Sequence, residues 1–307
     1  MAGALNTIPK RGGALRPALA LVVNAFVWGV SWWPFRTLHE QGLHPLWSTA
    51  GVYLVCLACV LAWRPATLRE LRQYPQLWLL ALASGLTNVG FNWGVTVGDV
   101  VRVVLLFYLM PAWSVLLAWG LLGERPGAAA LARLVLALAG VAVVLGADTT
   151  GLPVPSSLAD WLGLVGGFSF ALTNIMLRRL HTAPAPARVV AMFGGGAVLA
   201  AAVAAAGTAQ GLIAAPALPV AGLLVAAALT LGFLVANIAL QYGASRLAAH
   251  TTALIMLSEV VFASVSSVLL GASEPSLRTW LGGALILAAA AWAAWPARAA
   301  NGTPSAH

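Results

Sequence analysis

Apolar residues fill this chain in long runs that are separated by short polar segments. A run of about 18 or more apolar residues can cross the hydrocarbon core of a bilayer as an α-helix. Ten such runs occur, at residues 17–36, 45–63, 77–98, 101–122, 128–147, 158–178, 189–207, 219–243, 249–270 and 277–295. The pattern therefore predicts an all-α integral membrane protein with ten transmembrane helices.

The two halves of the chain repeat one another. Residues 88–95 (NVGFNWGV) return 149 positions later as residues 237–244 (NIALQYGA), each inside an apolar run. A second echo, at a shift of 142, pairs Phe26 with Phe168, Arg36 with Arg178, Leu38 with Leu180 and His39 with His181. Five helices per half is an odd number, so the second half must start on the opposite side of the membrane. The sequence thus predicts two inverted five-helix repeats.

This duplication sets the predicted domain boundaries. They are an N-terminal tail at 1–16, a first five-helix repeat at 17–147, an inter-repeat loop at 148–157, a second five-helix repeat at 158–296 and a C-terminal tail at 297–307.

The basic residues predict the orientation. Of the 16 Lys and Arg residues, all but Arg36, Arg102 and Arg278 fall on the same side as the two termini. Lys and Arg concentrate in cytoplasmic loops, so both termini are expected to be cytoplasmic. The net charge of +8 is then a topology signal, and no nucleic-acid partner is needed to explain it.

Composition supports the membrane class. The chain is 61% hydrophobic and only 8% charged, whereas a soluble domain carries about 25% charged residues. Too little polar chain remains for a soluble domain, so the lipid bilayer is the main predicted partner. An almost all-Arg basic set without an organelle signal favours a bacterial plasma (inner) membrane.

An inverted duplication of a hydrophobic unit is typical of secondary transporters, whose cargo sites form where the halves meet. The sequence holds no catalytic motif, no phosphate-binding loop and no metal-ligand spacing among its histidines. We therefore expect a small-molecule substrate and no catalytic residue, cofactor or metal, with transport driven by protons or by the cargo gradient. An intramembrane enzyme is the alternative from another class. It would need acids converging at one depth, and seven of the eight acids fall at helix ends or in loops.

Three glycines, Gly90, Gly94 and Gly98, share one face of the third predicted helix. Small residues allow membrane helices to approach closely. This face is expected to lie against another helix, either inside the bundle or in a homodimer.

Several short motifs carry a family resemblance. They are Trp28-Gly29 and Arg36 in helix 1, Pro111 followed by Gly123-Glu124-Arg125 at the end of helix 4, and Gly282-Gly283 in helix 10. On these residues the chain resembles the EamA-type transporters of the drug/metabolite transporter superfamily over about residues 17–296. The resemblance implies transport of amino acids, other metabolites, nucleotide sugars or drugs, and it favours export; which of these cargoes applies does not follow from it. We expect an exporter of small amphipathic metabolites such as amino acids, on the polar and aromatic residues described below. Import or antiport is the alternative within the same fold.

The chain departs from the family pattern at one helix position. The repeats of the family often carry Glu-Pro there, but helix 4 reads Met110-Pro111 and helix 9 reads Glu259-Val260. The first half therefore has the proline of the Glu-Pro pair, and the second half has its glutamate.

Polar residues at mid-membrane depth suggest the cargo site, because they are costly in hydrocarbon unless they face the bundle interior or a watery cavity. Amides four residues apart stack on one helix face, and they could bind cargo or join helices. Aromatic neighbours favour an amphipathic or cationic cargo. Arg36 could meet an anionic group of the cargo or snorkel to the interface. The predicted substrate-binding residues are Asn88, Asn92, Trp93, Asn237, Gln241, Tyr242, Trp28, Trp32, Tyr108 and Arg36.

Glu259 is the one acid predicted to lie deep, about 15 Å into helix 9. A charge at this depth costs about 2.5–3.5 kcal/mol, so burial favours the neutral acid. A carboxyl that can take and release a proton suits proton coupling or the binding of a cationic amine. The alternative is a permanently protonated Glu259 that bonds to Ser258, Ser264 or a backbone carbonyl.

Overall fold

The computed structural model describes residues 15–123, 125–146, 154–180, 182–217, 220–244, 246–247 and 249–295. Within these ranges the helices are α1 (Leu15–Val30), α2 (Trp32–Glu40), α3 (Pro45–Trp63), α4 (Thr67–Gln73), α5 (Leu77–Val97), α6 (Val100–Phe107), α7 (Met110–Leu122), α8 (Ala128–Leu145), α9 (Leu158–Arg179), α10 (Ala185–Ala209), α11 (Val220–Ala244), α12 (Ala249–Met256), α13 (Ser258–Leu269) and α14 (Leu277–Ala294). Outside the description lie residues 1–14, 124, 147–153, 181, 218–219, 245, 248 and 296–307. They hold most of both predicted tails and part of the inter-repeat loop.

Each predicted apolar run coincides with one helix or with two consecutive helices. Three runs are broken: α1 ends before α2 at Ser31, α6 before α7 at Tyr108 and Leu109, and α12 before α13 at Leu257. The break at 108–109 and the break at 257 are related by the 149-residue shift of the sequence repeat. The structure therefore repeats a backbone irregularity along with the residues.

The all-α membrane class is confirmed, while the count of ten spans is not. In the described part of the chain, nine helical segments are long and apolar enough to cross a membrane. Helix α5 is not among them, although it has 21 residues. Its buried face carries five polar side chains, Ser84, Thr87, Asn88, Asn92 and Thr96, which lower its hydropathy.

The two halves pack with an exchange symmetry. Helix α5 packs on α9, and α1 packs on α11, which is the same pairing with the halves exchanged. Helices α3 and α10 pack together, as do α8 and α14, and the exchange maps each of these pairs onto itself. The packing is that of two copies of one unit.

The glycine face of α5 lies inside the bundle. A methyl group on Gly90 would lie 2.7 Å from the carbonyl oxygen of Leu162, and a methyl group on Gly98 would overlap Ala159. Both contacts are with α9. Of the two arrangements that the sequence left open for this face, the structure has the internal one.

Gly140 and Gly282 are related by the 142-residue shift, and they lie against each other where α8 crosses α14. A methyl group on Gly140 would lie 2.7 Å from the carbonyl oxygen of Gly282, and a methyl group on Gly282 would lie 2.6 Å from that of Gly140. Gly140 also meets Ile286, and Gly282 meets Val144, which are again equivalent positions. The contact is reciprocal, so the pseudo-twofold axis that relates the halves passes between the two glycines.

We expect Gly282→Ala to destabilise the protein by about 1–3 kcal/mol, because the new methyl group has no room against the backbone of α8. The thermal unfolding midpoint in detergent measures this. Gly120→Ala is the matched control, since a methyl group at Gly120 has nothing within 4 Å and alanine favours the helix. The control should keep or raise the midpoint, and an equal loss in both variants would contradict the axis contact.

Candidate functional site

The break between α12 and α13 creates the environment of Glu259. The new helix begins at Ser258, so Glu259 lies in the first turn of α13, where the helix dipole favours an anion. The residue is 8% exposed. The Tyr108 hydroxyl lies 3.2 Å from Oε2 of Glu259 and 3.2 Å from the carbonyl oxygen of Met256. The acid thus has a hydroxyl partner that can donate either to it or to the helix end before it.

Tyr108 itself lies at the break in the first half, so the two helix breaks meet through its side chain. Polar backbone groups must be satisfied inside a membrane protein. At the second break, the Ser258 hydroxyl donates to the carbonyl of Ile255 at 2.7 Å. Ser258 was a candidate partner for Glu259, but the structure gives that position to Tyr108. The sequence repeat offers a signal for this partner, because the 149-residue shift maps Tyr108 onto Leu257, two residues before Glu259.

Helix α1 approaches Glu259 through the Trp28-Gly29 motif. A methyl group on Gly29 would lie 2.8 Å from the carbonyl oxygen of Glu259, so only a glycine allows this crossing. The neighbouring Trp28 stacks on Phe233 with ring centroids 4.6 Å apart and meets Phe91 edge-on at 6.2 Å. Trp28 is one of the predicted substrate-binding aromatics, and its ring partner Phe233 was not among the predicted residues.

Trp32 continues this aromatic side towards one end of the bundle. Its ring is buried, and its Nε1 donates to Oγ of Ser266 at 3.0 Å. Trp93 and Tyr242 lie elsewhere: Trp93 meets His44 edge-on at 5.2 Å, and Tyr242 is 37% exposed. The structure therefore brings Trp28, Trp32 and Tyr108 to one core and leaves the other two predicted aromatics outside it.

The first amide pair lies between α5 and α3. Oδ1 of Asn88 accepts a hydrogen bond from the Tyr53 hydroxyl at 2.6 Å, and its Nδ2 donates to the carbonyl of Ser84 at 2.8 Å. Nδ2 of Asn92 donates to Oγ1 of Thr49 at 3.3 Å, while its buried Oδ1 has no partner among the described residues. Both polar atoms of the Asn88 amide are therefore used in hydrogen bonds, one of which joins α5 to α3. Asn92 has an acceptor, Oδ1, without a hydrogen bond among the described residues.

The second amide pair has another environment. Gln241 is exposed and donates to Oδ1 of the half-buried Asn237 at 2.8 Å. A third amide, Asn24, is fully buried and donates to the carbonyl of Ala236 at 2.8 Å, with its Oδ1 unpaired in the described structure. Sequence reasoning missed Asn24, because it has no amide partner four residues away.

We expect the two equivalent amides to respond differently to truncation. Asn88→Ala should lower the stability by about 1–3 kcal/mol, because it leaves the Tyr53 hydroxyl buried without its acceptor. Asn237→Ala should change the stability by less than about 0.5 kcal/mol. Thermal midpoints in detergent compare them, and adding Tyr53→Phe to Asn88→Ala should restore part of the loss. Equal midpoints for the two single variants would contradict the assigned hydrogen bond.

A polar vestibule of about 630 Å³ opens at one end of the bundle. It is lined by Arg36, His39, Glu40, Thr96, Val97, Gly98, Asp99, Gly271, Ala272, Ser273 and Glu274. We call this end the vestibule side, and the end with Gly123, Arg178 and Ala244 the opposite side. The lining carries one guanidinium and three carboxyl groups.

Arg36 lies where α2 meets the ends of α5 and α13. Its guanidinium donates to the carbonyls of Gly98 at 2.8 Å, Val95 at 3.3 Å and Ala272 at 3.4 Å. A cation is favoured at helix C-termini, where carbonyls are left without partners. The ring of Trp32 lies 5.3 Å from the guanidinium carbon. Arg36 therefore ties three spans together in this conformation, in addition to facing the vestibule.

Arg102 and Asp160 form a buried ion pair between the halves. Nε of Arg102 lies 2.7 Å from Oδ1 of Asp160, and its Nη2 lies 3.0 Å from Oδ2. Nη1 donates to the carbonyl of Val144 at 2.9 Å. The backbone N–H and the hydroxyl of Ser156 donate to Oδ2 of Asp160 at 3.0 and 3.3 Å. The sequence placed both residues at helix ends, and nothing in their spacing of 58 residues pairs them.

Comparison with known proteins agrees with this architecture. Residues 15–146 match the model of the EamA-like transporter family, which is part of the drug/metabolite transporter superfamily. One solved crystal structure is similar to the protein, with 20% sequence identity and a TM-score of 0.58, over 90% of this chain and 96% of the chain in that structure. This likeness shows the fold alone. None of the curated proteins matches the sequence.

Proposed function

We propose that this membrane protein, whose residues 15–146 match the EamA-like transporter family, is a secondary transporter. It exports small amphipathic metabolites such as amino acids by alternating access. The observation that carries the proposal is the buried carboxyl of Glu259 at the junction of the two broken helices, one from each half.

The position of Glu259 supports a role in coupling. A carboxylate in hydrocarbon costs about 2.5–3.5 kcal/mol, yet this one has a single side-chain partner among the described residues, the Tyr108 hydroxyl. That hydroxyl can serve an ionised acid by donating to Oε2, or it can turn to the carbonyl of Met256 when the acid is protonated. The group is thus accommodated in both protonation states, as a proton carrier or an amine site requires.

The surroundings of Glu259 support an amphipathic cargo. Trp28 and Phe233 form a stacked pair, and Trp28 precedes Gly29, at which α1 meets the carbonyl oxygen of Glu259. A cavity that offers both aromatic faces and an acid can hold a molecule that has both a cationic amine and an apolar part. Amino acids and related metabolites have this chemistry.

The distribution of arginine supports the orientation. The vestibule side holds Arg36, Arg102 and Arg278, and most other basic residues belong to the opposite side. The positive-inside rule then assigns the vestibule to the external face and the termini to the cytoplasm of an inner membrane. Export is the direction implied by the family resemblance.

The test is mass spectrometry of the culture medium of a strain that overproduces the protein, against the same strain producing Glu259→Gln at an equal level. We expect one or a few amino acids or similar amphipathic metabolites to accumulate with the wild type only. Depletion of the medium would indicate import, and an unchanged medium together with unchanged cell contents would contradict transport of such metabolites.

A further inference from the structure

Arg133 carries a positive charge inside a membrane-spanning helix. Helix α8 begins at Ala128 on the opposite side of the bundle, so Arg133 lies about 7 Å into it, at 1.5 Å per residue. The residue is half-buried, and its buried Nε has no hydrogen-bond partner among the described residues. No described acid forms an ion pair with it. Its guanidinium carbon lies 6.0 Å from the ring centroid of Trp292, so an aromatic ring accompanies this charge where an anion is expected.

A narrow crevice between α7, α8 and α14 lies beside Arg133. On α14 it is lined by Ile286 and by three alanines, Ala289, Ala290 and Ala293. From Ala293 to Ile286 the crevice follows α14 inwards for about 10 Å. Tyr108, at the break between α6 and α7, also lines it. The crevice therefore combines a cation near its outer end with a wall of small apolar side chains farther in.

The surface around the crevice is apolar. Leu131 and Val135 of α8 and Trp119 of α7 are exposed, as expected for side chains that contact lipid. Trp292 is also exposed, and it lies two residues before the end of α14, near the membrane–water interface at which Trp is enriched in membrane proteins. Arg133 thus lies near the headgroup boundary, beside a groove that faces acyl chains.

We propose that this crevice binds an anionic phospholipid from the leaflet on the opposite side. Its phosphate accepts hydrogen bonds from the guanidinium of Arg133, which can offer two parallel N–H donors, and one acyl chain lies along the alanines of α14. Basic pockets between membrane helices bind anionic headgroups in this way, most often on the cytoplasmic side, where the positive-inside rule also places this end of the bundle.

The bound lipid contacts the candidate site from behind. Tyr108 lines the crevice, and its hydroxyl lies 3.2 Å from Oε2 of Glu259. The acyl chain therefore packs against the residue that is hydrogen-bonded to the buried acid. This inference goes beyond the proposed transport and needs neither its cargo nor its direction.

The test is a titration of the purified full chain in detergent with phosphatidylglycerol, in which native mass spectrometry measures the bound fraction. Phosphatidylcholine with the same acyl chains is titrated in parallel. The wild type should bind one phosphatidylglycerol about tenfold more tightly than phosphatidylcholine, and Arg133→Gln should remove this preference. Arg72→Gln is the matched control, because Arg72 is an exposed arginine of α4 outside the crevice, and it should keep the preference.

A second variant tests the acyl chain. Ala293→Phe keeps the charge but fills the mouth of the crevice, and Ala293 is exposed, so the larger side chain does not disturb the packing of α14. It should weaken the binding of phosphatidylglycerol about tenfold, because it displaces about two methylene groups of the chain. Ala288→Phe is its control, since Ala288 is exposed on the same helix outside the lining.

Two results would overturn the lipid site. Equal affinity of the wild type and Arg133→Gln for phosphatidylglycerol would show a guanidinium that only snorkels to the interface. Binding of inorganic phosphate that Arg133→Gln abolishes, together with phosphatidylglycerol binding that Ala293→Phe leaves unchanged, would show a site for a soluble anion.

Discussion

Glu259→Gln is expected to reduce transport to about a tenth of the wild-type rate or less, without loss of folding. The amide keeps the shape of the side chain, and its oxygen still accepts from the Tyr108 hydroxyl, whose distance to Oε2 is 3.2 Å. What it loses is the ability to take and release a proton or to carry a charge for a cationic amine. Transport of the metabolite found in the medium, measured between about pH 5.5 and 8, would show either a lost rate or a lost pH dependence.

Tyr108→Phe is the matched variant for this result. It removes the hydroxyl but keeps the acid, so it should weaken the pH dependence without abolishing transport. Wild-type transport by Glu259→Gln over the whole pH range would remove Glu259 from the mechanism. It would leave the acid as a neutral, structural group at the helix break.

Asp160→Asn should cost about 3–5 kcal/mol of stability, the largest loss that we expect from a single substitution here. The side chain of Arg102 is 11% exposed and that of Asp160 is 1% exposed, so solvent cannot replace the lost charge. The amide would also turn an N–H donor towards the guanidinium. A thermal midpoint in detergent, together with the yield of folded protein, measures the effect.

Glu274→Gln is the control for this prediction. Glu274 is an exposed acid of the vestibule, and its neutralisation should change the stability by less than about 0.5 kcal/mol. Similar midpoints for the two variants would contradict a structural role of the buried pair.

The sequence predicts the helical segments well, because apolar runs are set by the thickness of the bilayer. It does not predict the interruptions at Ser31, Tyr108 and Leu257, since each lies inside an uninterrupted apolar run. The short polar helix Thr67–Gln73 also has no signal of that kind. The internal repeat could be recognised in the sequence because its two copies still share residues at fixed shifts of 149 and 142 positions.

The candidate site was only partly predictable. Glu259 could be placed by depth alone, but its partner Tyr108 lies 151 residues away and depends on how two broken helices meet. The amides show a different limit. Asn88 and Asn237 have the same place in the repeat, and only the conformation of the bundle buries one and leaves the other half-exposed. A sequence describes both halves alike, whereas any one conformation treats them differently.

The reciprocal contact of Gly140 with Gly282 is isologous, as at the interface of a twofold-symmetric dimer. A five-helix chain with this glycine could meet a second, oppositely inserted copy of itself through the same surface. In such a dimer one substitution alters both sides of the axis at once, so a larger side chain would be doubled at the crossing. When both copies are joined in one chain, a substitution alters only one side of the axis. Val144 and Ile286 show this, because they occupy equivalent positions beside the axis and differ in residue type.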